Sequence, residues 1–337
     1  MQTLSYSFII PVFNRPDEVQ ELLHSFTTLE FDRPFEIVIV EDGSTTDCKA
    51  IVDSYQDYFN IAYYYKQNSG PGPSRNYGMR HAKGNYFIIL DSDCILPPQY
   101  LRNVDNQLQK NFVDCFGGPD AAHPSFSNLQ KAINFSMTSI LTTGGIRGGK
   151  SKDQKFQPRS FNMGLSQVAF EASNGFGNIH PGEDPDLVLR LLNLGFKTQL
   201  FPSAFVYHKR RISWSKFYKQ VYKFGLVRPI LNHWHPHSER LIYWLPTLFL
   251  MGFCFSLVFA IYGFPYFLFI YVLYFGISFL MALLQTKRIV IALMSILAIG
   301  IQFLGYGYGF LKSTIAIKFL NKEPEKRFPN LFFEDVN

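Results

Sequence analysis

The sequence predicts an α/β region with a mostly parallel, Rossmann-like sheet, followed by an interfacial helix and then transmembrane helices. Three observations carry this. Apolar runs alternate with amphipathic stretches up to about residue 120. Carboxylates recur where those runs end, and from Leu241 onward charge almost vanishes.

Taken in order, "YSFIIPVF", "FEIVIVED", "NIAYYYK", "NYFIILDSD" and "VDCFGGP" read as strands. Continuous apolar runs of this length suit strands covered on both faces. Segments opening near Pro16, Thr46, Pro73 and Pro97 read as helices, and proline suits a first helical turn because its missing N–H has no partner there anyway. Strand and helix alternating at this spacing predict βαβ units. Residues 120–160 break the pattern. Within them "GGIRGGKS" (144–151) satisfies the literal spacing of a phosphate loop. No buried strand precedes it and no helix follows, so it reads as a mobile loop over the site.

Leu241 to Thr286 contains no Asp, Glu, Lys or Arg, and neither does Ile289 to Leu311. A span needs about 20 apolar residues. The first stretch is long enough for two helices, broken near Tyr262-Gly263-Phe264-Pro265, and the second for one, so residues 241–311 are expected in the membrane. No basic segment precedes the first apolar run, so residues 1–210 are expected to stay in the cytosol as one domain. Cys48, Cys94, Cys115 and Cys254 show no paired metal spacing and read as reduced thiols.

Between Asp186 and Glu239 there are basic residues but no acidic one. Placed just before the first span, this segment (211–240) fits attraction to anionic lipid headgroups better than a nucleic-acid partner, which is not expected. Trp214, Phe217, Val221 and Phe224 fall at helical spacing with Lys216, Lys219 and Lys223 between them, as in a helix lying in the membrane interface. Three simple crossings would leave the tail (312–337), with Lys318, Lys322, Lys326 and Arg327, outside. Either one apolar segment does not cross or the positive-inside rule fails here.

The chemistry concentrates at strand ends: Pro11-Val12-Phe13-Asn14, Glu41-Asp42-Gly43-Ser44 and Asp91-Ser92-Asp93. Ligands of open α/β sheets bind beyond such ends, and paired carboxylates there can hold a divalent cation against a diphosphate. With "NSGPGPSRNYG" (68–78) and "GEDPDLVLRLLNLGFK" (182–197), these motifs resemble the family 2 glycosyltransferases of GT-A fold over roughly residues 5–210. The apolar tail resembles members that work on lipid-linked or cell-envelope glycans.

The resemblance implies that Pro11, Phe13, Asn14, Asp42, Asn68, Gly70, Arg75 and Asp91 hold the nucleotide of a nucleotide-sugar donor, UDP being the commonest in the family. It implies Mn2+ or Mg2+ at Asp93 with Asp91, and His208 where some members place a further ligand. Asp184 matches the catalytic base, with Glu183 beside it as a helper or acceptor contact. Gly118, Asp120 and Asn162 resemble sugar- and acceptor-facing positions. One base without a second nucleophile predicts inversion. The Gln-x-x-Arg-Trp motif of processive synthases is missing, since Gln220 is followed by Val-Tyr-Lys-Phe, which favours transfer of a single sugar to a lipid-linked or glycan acceptor. Rival readings are a polyprenyl-phosphate sugar synthase, a processive synthase and a non-catalytic nucleotide sensor. A transporter is disfavoured because the spans carry no ionisable residue.

Overall fold

The computed structural model describes residues 3–121, 126–144, 156–209 and 213–334. They form two compact units: residues 3–121, 156–208 and 332–334 make the first, and 126–144, 209 and 213–331 the second. The expected boundaries are therefore corrected at two places. Residues 126–144 leave the catalytic unit, and residues 332–334 return to it. Most of the glycine-rich segment 144–151, and Arg210 and Arg211, lie outside the described residues.

In chain order the elements are β1 (Tyr6–Val12), α1 (Pro16–Phe26), β2 (Glu36–Asp42), α2 (Lys49–Asp53), β3 (Asn60–Lys66), α3 (Pro71–His81), β4 (Tyr86–Leu90), β5 (Cys94–Ile95), α4 (Tyr100–Lys110), β6 (Cys115–Gly117) and β7 (Asp120–Ala121). After α5 (Asn128–Thr138) and α6 (Ile140–Thr143) of the second unit come β8 (Asn162–Ser166), α7 (Gln167–Ser173), α8 (Glu183–Asn193), β9 (Thr198–Leu200) and β10 (Val206–His208). The main sheet runs β3-β2-β1-β4-β8-β6-β9, and a small one runs β5-β10-β7.

Strand β1 pairs in parallel with β2 and β4, placing Phe8 beside Ile37 and Ile88. Neighbouring residues point to opposite faces. Phe8, Ile10 and Ile39 pack with Leu22 and Phe26 of α1 and Leu101 of α4. Ile9, Val38 and Ile89 pack with Met79 of α3, Phe170 of α7 and Leu187 of α8. Both faces are covered, which is why the apolar runs are unbroken. Each such buried side chain contributes about 1.5–3 kcal/mol. The parallel order puts the carboxyl ends of β1, β2 and β4 on one edge, and so brings Phe13, Asp42 and Asp91 together there.

Two features differ from expectation. Helices α2 and α4 begin at Lys49 and Tyr100, three residues after the positions the sequence suggested. Strand β8 lies antiparallel between β4 and β6. The ring of Phe116 lies where a side chain on Gly164 would project, so the glycine is what lets β8 enter the sheet.

The second unit contains α9 (Trp214–Trp234), α10 (Leu245–Ile261), α11 (Tyr266–Thr286) and α12 (Ile289–Thr314). Three helices are long and apolar enough to cross a membrane, Leu241–Ile261, Tyr266–Thr286 and Ile289–Phe319. The third therefore runs past the expected limit at residue 311. The apolar face of α9 is also corrected. Phe217 and Val221 cluster with Ile133 and Met137 of α5 and Ala298 of α12, so helices rather than headgroups cover it. Gly305 and Gly309 of α12 permit this, because a side chain at either would strike α9.

Candidate active site

The loops beyond β1, β2 and β3 are joined around Asp42. Its Oδ1 accepts from Lys66 Nζ (2.6 Å) and the Ser69 N–H (2.9 Å), and its Oδ2 from the Gly70 N–H (2.9 Å). A carboxylate oxygen accepts two bonds, so Oδ2 retains room for one more donor. Asn68 Nδ2 donates to the Asp42 carbonyl (2.8 Å). Gly70 has φ 91°, and the Phe333 ring lies where its side chain would be. Asn14, at φ 53°, accepts from the Thr45 and Thr46 N–H groups through Oδ1, tying two strand-end loops together. Pro11 precedes it in β1, and the Phe13 ring, 50% exposed, is available for stacking.

Arg75, 3% exposed in α3, is the hub of the acidic residues. Its Nη2 donates to Asp91 Oδ1 (2.7 Å) and its Nη1 to Glu183 Oε1 (3.1 Å). Glu183 also lies 3.1 Å from His180 Nδ1. Burial alone would raise the Glu183 pKa, but His180 and Arg75 outweigh it and bring it down to about 2. Asp184 behaves oppositely. Burial raises its pKa, with the Glu183 charge adding to the rise and Arg159, 3.6 Å away, opposing it.

Asp93 sits beyond β4 with Oδ2 held by Arg15 (2.6 Å). Its Oδ1 is buried and has no hydrogen-bond partner among the described residues, although His208 Nε2 lies 3.1 Å away. Cys94 Sγ completes a group of three ligand atoms within 4.8 Å of one another. Burial would raise the Asp93 pKa, but His208 and Arg15 hold it well below the usual carboxylate range. An orphaned carboxylate oxygen and an imidazole nitrogen converging this closely fit a divalent cation. Asp91 lies two residues earlier with its carboxylate on Arg75, so Asp93 and His208 are better disposed as ligands than Asp91. His208 stacks on Phe161, with centroids 4.8 Å apart, which fixes its ring.

The sugar- and acceptor-facing residues separate. Asn162 is fully buried in β8: its Oδ1 accepts from Tyr100 (2.6 Å) and its Nδ2 donates to the Ala204 carbonyl (2.8 Å). It joins strand to helix and does not face a substrate, and Gly118 packs against the same Asn162 amide and Ala204 carbonyl. Asp120 is half-buried on β7 and pairs with Val206 two residues before His208, which keeps it near the Asp93 group.

Lys66, Arg15, Arg159, His180 and Phe333 were not read from the sequence. Arg15 follows Asn14 directly and was findable. His180 stands three residues before Glu183 and was findable too, whereas Lys66, Arg159 and Phe333 reach the site through tertiary folding. Phe332 bridges Ile179 antiparallel, and the Phe333 N–H donates to the Asn178 carbonyl (3.0 Å).

A doubly covered, mostly parallel sheet with acidic side chains beyond β4 and an acidic pair opening α8 has the layout of a GT-A transferase. Residues 7–169 match the model of glycosyl transferase family 2, and the protein carries a domain of that family. Over 111 residues it is 35% identical to an uncharacterized glycosyltransferase of Rickettsia felis, covering 32% of this chain and 18% of that one. Over 114 residues it is 30% identical to the poly(ribitol-phosphate) beta-N-acetylglucosaminyltransferase TarS of Staphylococcus aureus, covering 33% of this chain and 20% of TarS. Its structure is similar to TarS in complex with UDP-GlcNAc, at TM-score 0.50 and 17% identity over 93% of this chain and 92% of that one. It is also similar to the mannosyltransferase PcManGT from Pyrobaculum calidifontis in complex with GDP-Man and Mn2+, at TM-score 0.58 and 14% identity over 96% and 89%. At such identities these structural likenesses are of fold. The sequence matches span 13% to 32% of the length of the curated relatives.

Proposed function

We propose that the protein is an inverting, metal-dependent glycosyltransferase that moves one sugar from a nucleotide-diphosphate sugar to a hydroxyl of a membrane or lipid-linked glycan in cell-envelope polysaccharide synthesis. One observation carries this reading. The site holds two acidic pairs, and in each one member is fixed by Arg75 while the other is left with a different protonation chemistry.

Phe13 stacks on the donor's base, and Asp42 Oδ2 accepts from it with the one acceptor position the Ser69, Gly70 and Lys66 contacts leave open. Asp93 and His208 would hold Mn2+ or Mg2+, which would supply charge stabilisation to the leaving diphosphate. Arg15 keeps Asp93 ionised. Asp184 takes the proton of the acceptor hydroxyl, a role suited to a carboxylate of raised pKa. Glu183, paired with Arg75 and His180, stays ionised and positions Arg75. A UDP-sugar is the first donor to test, because TarS binds UDP-GlcNAc. The apolar helices keep the enzyme at the membrane, where a lipid-borne acceptor resides, with the catalytic unit in the cytosol.

A carboxylate at Asp184 suits a hydroxyl acceptor, which must lose its proton as it attacks, more than an already ionised phosphate, and so disfavours a polyprenyl-phosphate sugar synthase. The test is release of nucleoside diphosphate by detergent-purified protein with Mn2+ or Mg2+, across UDP-, GDP- and dTDP-sugars, with and without a lipid extract. Release with one donor that rises with lipid and is lost in Asp93→Ala and Asp184→Asn supports the reading. Failure of every donor with metal present would leave the nucleotide-sensor reading.

A further inference from the structure

Three helices are apolar enough to cross a bilayer, yet the chain both leaves and re-enters the same compact unit around them. His208 belongs to the catalytic unit, and so do Phe332 and Phe333. The latter are tied to Ile179 and Asn178 by backbone pairing and packed on Gly70 by a ring. A segment that starts and ends on one folded unit crosses a membrane an even number of times. We infer that only α10 and α11 cross, as a hairpin inserted from and returning to the catalytic side, and that α12 lies along that membrane surface with one face in lipid.

Helix α9 does not supply the missing crossing, because it carries Lys216, Lys219, Lys223 and Arg228, and charge at the bilayer centre costs several kcal/mol per residue. Helix α12 runs beside α9 at backbone distance. Gly305 faces Val221 and the Tyr218 carbonyl, Gly309 faces the Tyr222 carbonyl, and Gly225 of α9 faces the Tyr306 carbonyl. A helix bound this closely to a non-crossing one shares its direction.

The surfaces of the helices agree. In α10 and α11 the share of the apolar window buried is 11% in each, whereas in α12 it is 39%. Apart from its first turn, where Ile289 and Val290 are exposed, α12 leaves out Leu293, Leu297, Leu304 and Tyr308, at spacings of four and seven, and Ile315 and Phe319 beyond its end continue that stripe. One face of α12 is therefore left for lipid while the other packs on protein, Ala298 on Phe217 and Val221 of α9. Its contacts with the hairpin point the same way. Ala292 clusters with Ala282 and Leu283 near the end of α11, and Phe310 packs on Trp244 before the start of α10. Between these ends Gly307 packs on Pro246 and Leu250 and its carbonyl accepts from Thr247 Oγ1 (3.0 Å), while Phe303 reaches Phe249 and Tyr274. A crossing helix would follow one partner from end to end.

Charge supplies an independent check. With two crossings the uncharged tip Tyr262–Pro265 is the only connection on the far side, and Lys287, Arg288, Lys312, Lys318, Lys322, Lys326 and Arg327 all share the catalytic side. The positive-inside rule, which three crossings violate, is then obeyed throughout.

The test is labelling with a membrane-impermeant maleimide in sealed vesicles of each orientation. The full chain carries Cys254→Ser and one of Asp57→Cys, Phe264→Cys, Arg288→Cys or Glu325→Cys. The expected result is that Phe264→Cys labels only from the side opposite Asp57→Cys, while Arg288→Cys and Glu325→Cys label only from the same side. Glu325→Cys on the far side, or Phe264→Cys on the near side, would overturn the hairpin. Should a variant fail to accumulate, protease cleavage of the unaltered chain at Lys322–Arg327 in the same vesicles answers the parity question: cleavage from the catalytic side supports it, and cleavage from the other side overturns it.

Discussion

The Asp91/Asp93 pair beyond β4 and the Glu183/Asp184 pair opening α8 look alike in sequence and are built alike, yet end in opposite electrostatic states. Arg75 takes one member of each, Asp91 and Glu183. The remaining members diverge: Asp93, between Arg15 and His208, is pushed down, and Asp184, half-buried with Arg159 only at 3.6 Å, is pushed up. A metal ligand must stay ionised at any working pH, whereas a base must want a proton. One shared cation and two different outer neighbours are enough to produce both behaviours.

The sharpest way to break the comparison is to remove the two free members. Asp184→Asn is expected to lower turnover by about 10²–10⁴-fold, the usual contribution of general-base catalysis, with donor KM nearly unchanged. Asp93→Ala should instead abolish the response to added Mn2+ in a metal titration. Comparable losses in both parameters for both variants would erase the proposed division of labour.

Next in size is the hub. Arg75→Met leaves buried Glu183 without its guanidinium, and breaking a buried pair costs about 3–5 kcal/mol. Thermal unfolding should show a clear fall in Tm, and an unchanged Tm would mean that Arg75 joins nothing. The Asn162 contacts at β8 predict a loss of comparable size. Asn162→Ala leaves the Tyr100 hydroxyl and Ala204 carbonyl unpaired, at about 1–3 kcal/mol each, with donor KM unmoved.

The pH profile separates the pairs more finely. Asp184 acts deprotonated, so kcat/KM should fall as pH drops through a pKa above the ordinary 3.8. Glu183→Gln should keep an acid limb of this kind, since the limb belongs to Asp184. Stability has the opposite source. The Glu183 pKa is depressed from 4.5 to about 2 in the folded state. Its contribution is therefore complete above 4.5 and lost as pH falls toward 2. Denaturant midpoints measured across that window should decline less in Glu183→Gln than in the unaltered chain.

The strands that carry the site were legible because β1, β2 and β4 are covered on both faces and write their burial as continuous apolar runs. The acids stand at the ends of those runs. Strand β8 was not legible, since "NMGLS" has no apolar run and only Met163 and Leu165 to mark an alternation, and its place depends on Gly164 meeting Phe116. Asn162 was misread for the same reason: its partners lie 62 and 42 residues away. Lys66 and Arg159 carry no local signal, because what matters is which carboxylate folding brings to them. Helix α12 shows the limit most plainly. Its stretch Ile289–Leu311 is uncharged and reads like a span, and what sets it apart from α10 and α11, its larger buried share and its packing on α9, is not written in its own sequence.

The return of Phe332 and Phe333 to Ile179, Asn178 and Gly70 also sets an order of events during synthesis. Those two residues leave the ribosome only after every apolar helix has emerged. At roughly 5–20 residues per second the delay after His208 is on the order of ten seconds. Until then the wall beside Asp42 lacks its outer aromatic cover. The Asp42 side of the catalytic unit is thus finished last, when the three apolar helices have already been made.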